Sequence, residues 1–328
     1  MKSKRLLLMF SVILLALGVI TIFLLGKMRS PATFRPPTEA QITRVEADPD
    51  KGFYWPYYLY VPESAESRAW EEEPIYLLVF PNNTGEPSAD FAVHDRAARE
   101  KIKQFWDFPA HLGTPMLVPV FPRPSDLYVH ALDRRTLLAE TPELQRVDLQ
   151  LLAMIDDAST RLRSRWWKVN DRVLIMGFSA SGMFANRFTI LHPDRVLAAA
   201  IGSPGGWPIA PLAEWQGHTL DYPLGVNDLQ ALAGRPFDLE AYRGVPHLFF
   251  LGDQDDNDAV DVENLDTLSG MFGTTPVERW PHAAEFYRAA GADAEFRLTP
   301  GVGHTIDSET WRYQIQFLAD AMAADEKR

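Results

Sequence analysis

The chain has 328 residues, 46% of them hydrophobic and 23% charged. This is enough apolar material for a sizeable core, and it excludes global disorder or a collagen-like chain. Cysteine is absent, which excludes disulfides, a thiolate nucleophile, an iron–sulfur cluster and a cysteine-held zinc, while the net charge of −12 argues against a nucleic-acid partner, which selects for a basic face.

The charge is unevenly spread. Residues 1–35 carry six of the 32 basic residues and no acidic one, leaving 26 basic against 44 acidic residues in the remainder, a net of −18. Leu6 to Gly26 reads LLLMFSVILLALGVITIFLLG without a charge. As a helix it reaches about 30 Å, the thickness of a bilayer's hydrocarbon core. The run is longer than a signal-peptide core and no A-x-A-like cleavage site follows it. The expectation is therefore a membrane anchor within residues 1–29, a single transmembrane helix at 6–26, with a cleaved signal as the alternative. Lys2, Lys4 and Arg5 favour an N-terminus inside, so the rest of the chain is expected outside the cytoplasm, anchored, or secreted if the segment is cleaved. Residues 30–50 are polar and proline-bearing, a linker or an irregular first strand.

From residue 51 to 328 short apolar runs alternate with helical patterns. Strands are expected at 57–61, 75–80, 116–121, 173–176, 196–201, 247–251 and 294–298, the later ones apolar on both faces as covered parallel strands require. Leu144, Val147, Leu151, Ile155, Ala158 and Leu162 form one helix face, with Thr141-Pro142 as its expected start. Ser308 is the expected cap of a last helix burying Trp311, Ile315, Leu318 and Met322. Such alternation specifies an α/β domain with a mostly parallel sheet, whose ligands bind beyond the carboxyl ends of the strands.

Chemistry-bearing residues stand at those ends. After VLIM comes Gly177-Phe178-Ser179-Ala180-Ser181-Gly182, then a helix-like run. A serine on a sharp strand-to-helix turn exposes its hydroxyl, and the N–H of Ala180 can face a developing oxyanion. Ser181 takes the second glycine place of G-x-S-x-G, where the residue is expected to lie close to the neighbouring strand. It is also the rival nucleophile. After HLFFL comes Gly252-Asp253-Gln254-Asp255-Asp256-Asn257-Asp258. Asp255 is the expected partner of a catalytic histidine, with Asp256 and then Asp253 as alternatives. Asp253, Asp255 and Asn257 also match positions of a calcium loop, but Asp258 stands where glycine is needed and Asn264 where glutamate is needed. After AEFRL comes Thr299-Pro300-Gly301-Val302-Gly303-His304, which puts a histidine in a glycine-bounded loop after the last strand. Serine, acid and histidine thus come in the order of a strand-end catalytic triad.

GFSASG, LGDQDDND and PGVGH together resemble the α/β-hydrolase superfamily over about residues 52–325, and within it secreted esterases of the polyester-depolymerase and feruloyl-esterase kind. The resemblance implies a mostly parallel eight-stranded sheet with helices on both faces, an acyl-enzyme mechanism and no cofactor. It also implies a second oxyanion donor from the loop after an early strand, where Pro81-Asn82-Asn83-Thr84-Gly85 stands in place of an HGGG-type run. The backbone N–H of Asn82 or Asn83 is the expected donor. A cap-like insert is expected at 205–245, where Trp207, Trp215 and Tyr222 either wall a pocket or pack, while Trp166 and Trp167 read as packing or surface. The expected activity is hydrolysis of a small or polymeric carboxylic ester by Ser179, Asp255 and His304. A serine peptidase of the same fold and a non-catalytic surface-anchored binding module are the alternatives.

Overall fold

The computed structural model describes residues 35–260 and 262–328. The apolar run at 6–26, and with it the expected anchor, lies outside the described residues. Among the described residues no helix is long and apolar enough to cross a membrane.

Residues 36–328 form one compact unit around an eight-stranded sheet. Its strands are β1 (Ile42–Val45), β2 (Tyr57–Tyr60), β3 (Leu78–Val79), β4 (Met116–Pro119), β5 (Val173–Phe178), β6 (Val196–Gly202), β9 (His247–Gly252) and β10 (Ala294–Thr299); a small hairpin of β7 (Glu214–Trp215) and β8 (His218–Thr219) stands apart. The spatial order is β1-β2-β4-β3-β5-β6-β9-β10. β2 runs antiparallel to both β1 and β4, and every other pairing in this sheet is parallel. The sheet therefore begins inside the stretch where a linker or an irregular first strand was expected. Residues 42–45 pair with β2 as a short edge strand whose two apolar residues lie on opposite faces, Val45 packing into the core on one side of the sheet and Ile42 against the core on the other.

The five longest helices are α1 (Phe91–Phe105), α2 (Val147–Arg163), α3 (Ala180–Leu191), α4 (Pro276–Ala290) and α5 (Ser308–Asp325). Period-2 alternation along the strands divides the core between them. Leu77, Val79, Ile175, Ala199, Ile201, Phe249 and Leu251 face α2, α3 and α4, through Leu151, Ile155, Phe184, Phe188 and Tyr287. Tyr76, Leu78, Phe80, Leu174, Met176, Ala198 and Ala200 face α1 and α5, through Ala98, Ile102, Phe105, Leu318 and Met322. Each fully buried Leu or Phe contributes about 1.5–3 kcal/mol, so both faces are needed to offset the chain entropy lost on folding.

Two helix starts differ from expectation. Thr141-Pro142 opens only a turn, and α2 begins at Val147 after Arg146, which takes a left-handed conformation with φ 45° and ψ 56°. That kink turns the Arg146 guanidinium onto buried Asp148 and the Ala233 carbonyl. The cap of α5 is Asp307 rather than Ser308. Its carboxylate accepts from the N–H groups of Glu309 and Thr310 and from the Thr310 hydroxyl, and a serine has only one oxygen for the same task. The expected stripe on α5 is otherwise in place, with Leu318 and Met322 buried and Trp311 and Ile315 partly so.

Candidate active site

Ser179 lies between the end of β5 and the start of α3 with φ 61° and ψ −132°. A non-glycine residue holds this backbone only where its surroundings over-determine it, and here two glycines do so. A Cβ at Gly177 would collide with the Ser181 carbonyl, and one at Gly182 with the Gly202 carbonyl on β6. The close approach to the neighbouring strand is thus made by Gly182, not by Ser181 as expected. The Ser181 side chain turns the other way, and its hydroxyl donates to the Phe178 carbonyl at 2.8 Å and lies 3.1 Å from the Thr84 hydroxyl. This buried, doubly engaged hydroxyl leaves Ser179 as the serine that faces the histidine.

His304 Nε2 is 2.9 Å from Ser179 Oγ, across 125 residues of chain. His304 Nδ1 is 3.0 Å and 3.1 Å from the two oxygens of Asp255. The loop reaches this position because the end of β9 is glycine. A Cβ on Gly252 would strike the carbonyls of Val302 and Gly303. Neighbouring acids have other tasks. Asp253 accepts from the Gly301 N–H at 2.7 Å and so ties down the histidine loop. Asp256 is exposed, and Asp258 pairs with the fully buried Arg279 at 2.8 Å. Asp253 and Asp255 face different partners rather than one centre, which is not the arrangement of a calcium loop.

Asp255 is 2% exposed. Burial would raise its pKa, but hydrogen bonds from His304, from the Ser203 hydroxyl and from the Asn257 N–H outweigh that and hold it below the usual carboxylate value. The Ser203 contact is 2.6 Å. This serine follows β6 directly, and its position after a strand ending in glycine was the only sequence signal for it.

The loop after β3 is pinned from several sides. The Asn82 carboxamide both donates to and accepts from the Phe121 backbone, Arg123 donates to the Asn82 carbonyl at 2.6 Å, and Asn83 donates to the Tyr128 carbonyl. Among the described residues the backbone N–H groups of Asn82 and Asn83 have no acceptor, and Ala180 supplies one of the unpaired N–H groups at the start of α3. Thr84 joins this loop to the serine turn. Its hydroxyl accepts from the Ser181 N–H at 3.3 Å and contacts the Phe178 carbonyl at 3.1 Å.

A pocket of about 310 Å³ opens beside His304, Thr84 and Ser181 and extends between Phe80, Lys101, Phe105 and Trp311. The aromatics of the expected insert are elsewhere. Trp207 stacks on Phe272 in a satellite cluster and donates to the Leu224 carbonyl, Trp215 packs edge-on to Phe286, and Tyr222 is fully buried with its hydroxyl on the Leu132 carbonyl.

The fold recurs in solved structures. One is poly(aspartic acid) hydrolase-1 from Sphingomonas sp. KT-1, 17% identical, covering 86% of this chain and 98% of its own with a TM-score of 0.55. Another is MGS-M1, an α/β hydrolase from a Medee basin deep-sea metagenome library, 13% identical over 88% of this chain and 100% of its own, TM-score 0.50. The chain has the α/β-hydrolase fold. LpqC, a poly(3-hydroxybutyrate) depolymerase from Bordetella parapertussis, is a further example of similar fold, 19% identical over 81% of this chain and 85% of its own, TM-score 0.50. No family model and no curated protein matches the sequence. Because β5, β6, β9 and β10 are parallel neighbours, the carboxyl ends of β5, β9 and β10 lie on the same side of the sheet, which is where Ser179, Asp255 and His304 meet.

Proposed function

We propose that the protein is a serine hydrolase that cleaves a carboxylic ester through an acyl-enzyme, with Ser179 as nucleophile, His304 as general base and acid, and Asp255 as the group that orients His304. The observation that carries this reading is the continuous chain of hydrogen bonds from Asp255 through both nitrogens of His304 to Ser179 Oγ.

In the proposed mechanism Asp255 accepts the Nδ1 hydrogen, so Nε2 is left as the acceptor. Ser179 Oγ attacks the ester carbonyl while its proton passes to Nε2. The oxyanion is stabilised by the N–H of Ala180 and by one from the Asn82–Asn83 turn. Collapse breaks the bond to the alkoxy oxygen, which takes the proton from Nε2 and leaves as the alcohol. Water then attacks the acyl-enzyme, giving a proton to Nε2, and the second collapse returns that proton to Ser179 and releases the acid.

The test is labelling with a fluorophosphonate, peptide mapping, and a panel of esters and amides. The expected outcome is an adduct on Ser179 and turnover of esters. An adduct on Ser181, or no adduct together with no turnover, overturns the reading, and turnover of amides in preference to esters overturns its ester part.

We further propose that residues 6–26 hold the enzyme at a membrane with residues 36–328 outside the cytoplasm. The uninterrupted apolar run supports this. Fractionation of the full chain from a bacterial host, with N-terminal sequencing, tests it. A soluble product beginning near residue 30 overturns it.

A further inference from the structure

Lys101 stands on α1 with its side chain among the walls of the pocket beside His304. Its ammonium lies 4.2 Å from the centre of the Phe80 ring and 5.5 Å from that of Phe105. Among the described residues no carboxylate pairs with it, although the chain holds 44 acidic residues against 32 basic ones. The nearby cation is equally without an acid. Arg123 is fully buried, donates to the Asn82 carbonyl, and leaves its Nε unpartnered. The pocket is thus electropositive in a protein whose net charge is −12. The pocket wall is otherwise aromatic, with Phe105 stacked on Trp311 at 5.3 Å and 24°.

A solvated lysine on a helix surface extends its head into water. Here the head lies on aromatic faces within a concave wall, which restricts its hydration and strengthens its attraction for an anion. At about 310 Å³ the pocket is at the lower end of ligand sites and suits a short or single-ring skeleton rather than a long acyl chain.

We propose that this pocket binds a carboxylate carried by the substrate, with Lys101 as its counter-ion and the rings of Phe105 and Trp311 holding the carbon skeleton between that carboxylate and the scissile ester. The preferred substrates are therefore half-esters of small dicarboxylic acids or esters of small hydroxy-carboxylic acids. This rests on the serine hydrolase reading. Burial and the charge of Arg123 lower the Lys101 pKa to about 7, and a carboxylate bound against the ammonium offsets both effects.

The experiment measures kcat/KM at pH 6.5 on two matched pairs with the full chain in detergent. One pair is the para-nitrophenyl half-ester of adipic acid and para-nitrophenyl hexanoate, which places the charge on the acyl side. The other is para-acetoxybenzoate and para-cresyl acetate, which places it on the leaving side. Lys101→Met keeps the length of the stem and its contact with the rings, and Lys101→Arg keeps the charge. The expected result is that, in at least one pair, Lys101→Met lowers the ratio of acidic to neutral kcat/KM by about 10–100-fold, the range of one charge-assisted hydrogen bond, and that Lys101→Arg restores most of it. If the wild type turns over the neutral esters and the ratio in both pairs moves less than threefold, the carboxylate site is refuted while the hydrolase reading stands. If the wild type turns over none of the esters and takes no fluorophosphonate, both fall.

Discussion

The hydroxyls of Thr84 and Ser181 lie 3.1 Å apart across 97 residues of sequence. They join the loop after β3 to the turn that carries Ser179. Ser181 donates to the Phe178 carbonyl and also accepts from the Phe178 N–H, and Thr84 accepts from the Ser181 N–H. The two halves of the candidate oxyanion site are thereby tied together through side chains.

Ser181→Gly is expected to fold and keep turnover, with a stability loss of about 1 kcal/mol for the lost hydroxyl contacts. Thr84→Val removes the same link from the other side, so the double variant should lose less than the sum of the single losses. Gly182→Ala should be far worse than Ser181→Gly, by about 1–3 kcal/mol or more, because its methyl group meets the Gly202 carbonyl. Urea melts of the four variants check this. A Gly182→Ala protein as stable as Ser181→Gly would be the contrary result.

Ser179→Ala should lower kcat by about 10⁴–10⁶-fold, as loss of one member of a unit that acts together does. His304→Ala should cost a comparable amount, and the pair little more than either alone. Single-turnover kinetics with an activated aryl ester measure all three. Additive losses would mean that the 2.9 Å contact is not used in catalysis.

Among the acids of the loop after β9, Asp255→Asn should reduce kcat by about 10⁴-fold, since an amide presents a donor to His304 Nδ1 and favours the wrong tautomer. Asp256→Asn should stay near wild type, because Asp256 is exposed. Asp253→Asn should also be mild, because its amide oxygen can still accept from the Gly301 N–H. Loss of activity in Asp256→Asn with Asp255→Asn intact would reassign the acid.

Away from the site, Asp148 is fully buried between Arg146 and His192, at 2.7 Å and 2.8 Å. Burial would raise its pKa, but the hydrogen bonds from Arg146 and His192 prevail and lower it to about 2. A carboxyl whose folded pKa lies below its unfolded value stabilises fully above the unfolded pKa and loses that effect as pH falls through the folded one. The window here runs from about pH 4 to about pH 2. Asp148→Asn should cost about 3 kcal/mol at neutral pH, because Arg146 loses its buried partner, and the gap from wild type should narrow across that window. Thermal melts from pH 7 to pH 2 follow the gap. A gap that is constant with pH would deny Asp148 this role.

Much of the fold was legible along the chain. Strand after strand announced itself as an apolar run, because a strand covered on both faces has no polar positions to show. Ser179, Asp255 and His304 were legible for a related reason, since each follows a strand within a few residues and glycines mark the tight places. The linker region was less so, because Ile42–Val45 is a short edge strand with half its residues polar.

Local sequence determined which segments are strands or helices, where the turns close, and in what order the three reacting groups arrive. These follow from the chirality and sterics of the backbone and from side-chain periodicity, which act over a few residues. Only the tertiary structure decided what those residues touch. Gly182 rather than Ser181 meets the neighbouring strand because β6 passes there. Ser203 holds Asp255 because two strand ends converge, and Lys101 comes to line the pocket beside His304 because α1 packs beside the loop after β10. Each depends on segments brought together from distant parts of the chain, and a contact of that kind has no local periodicity to reveal it.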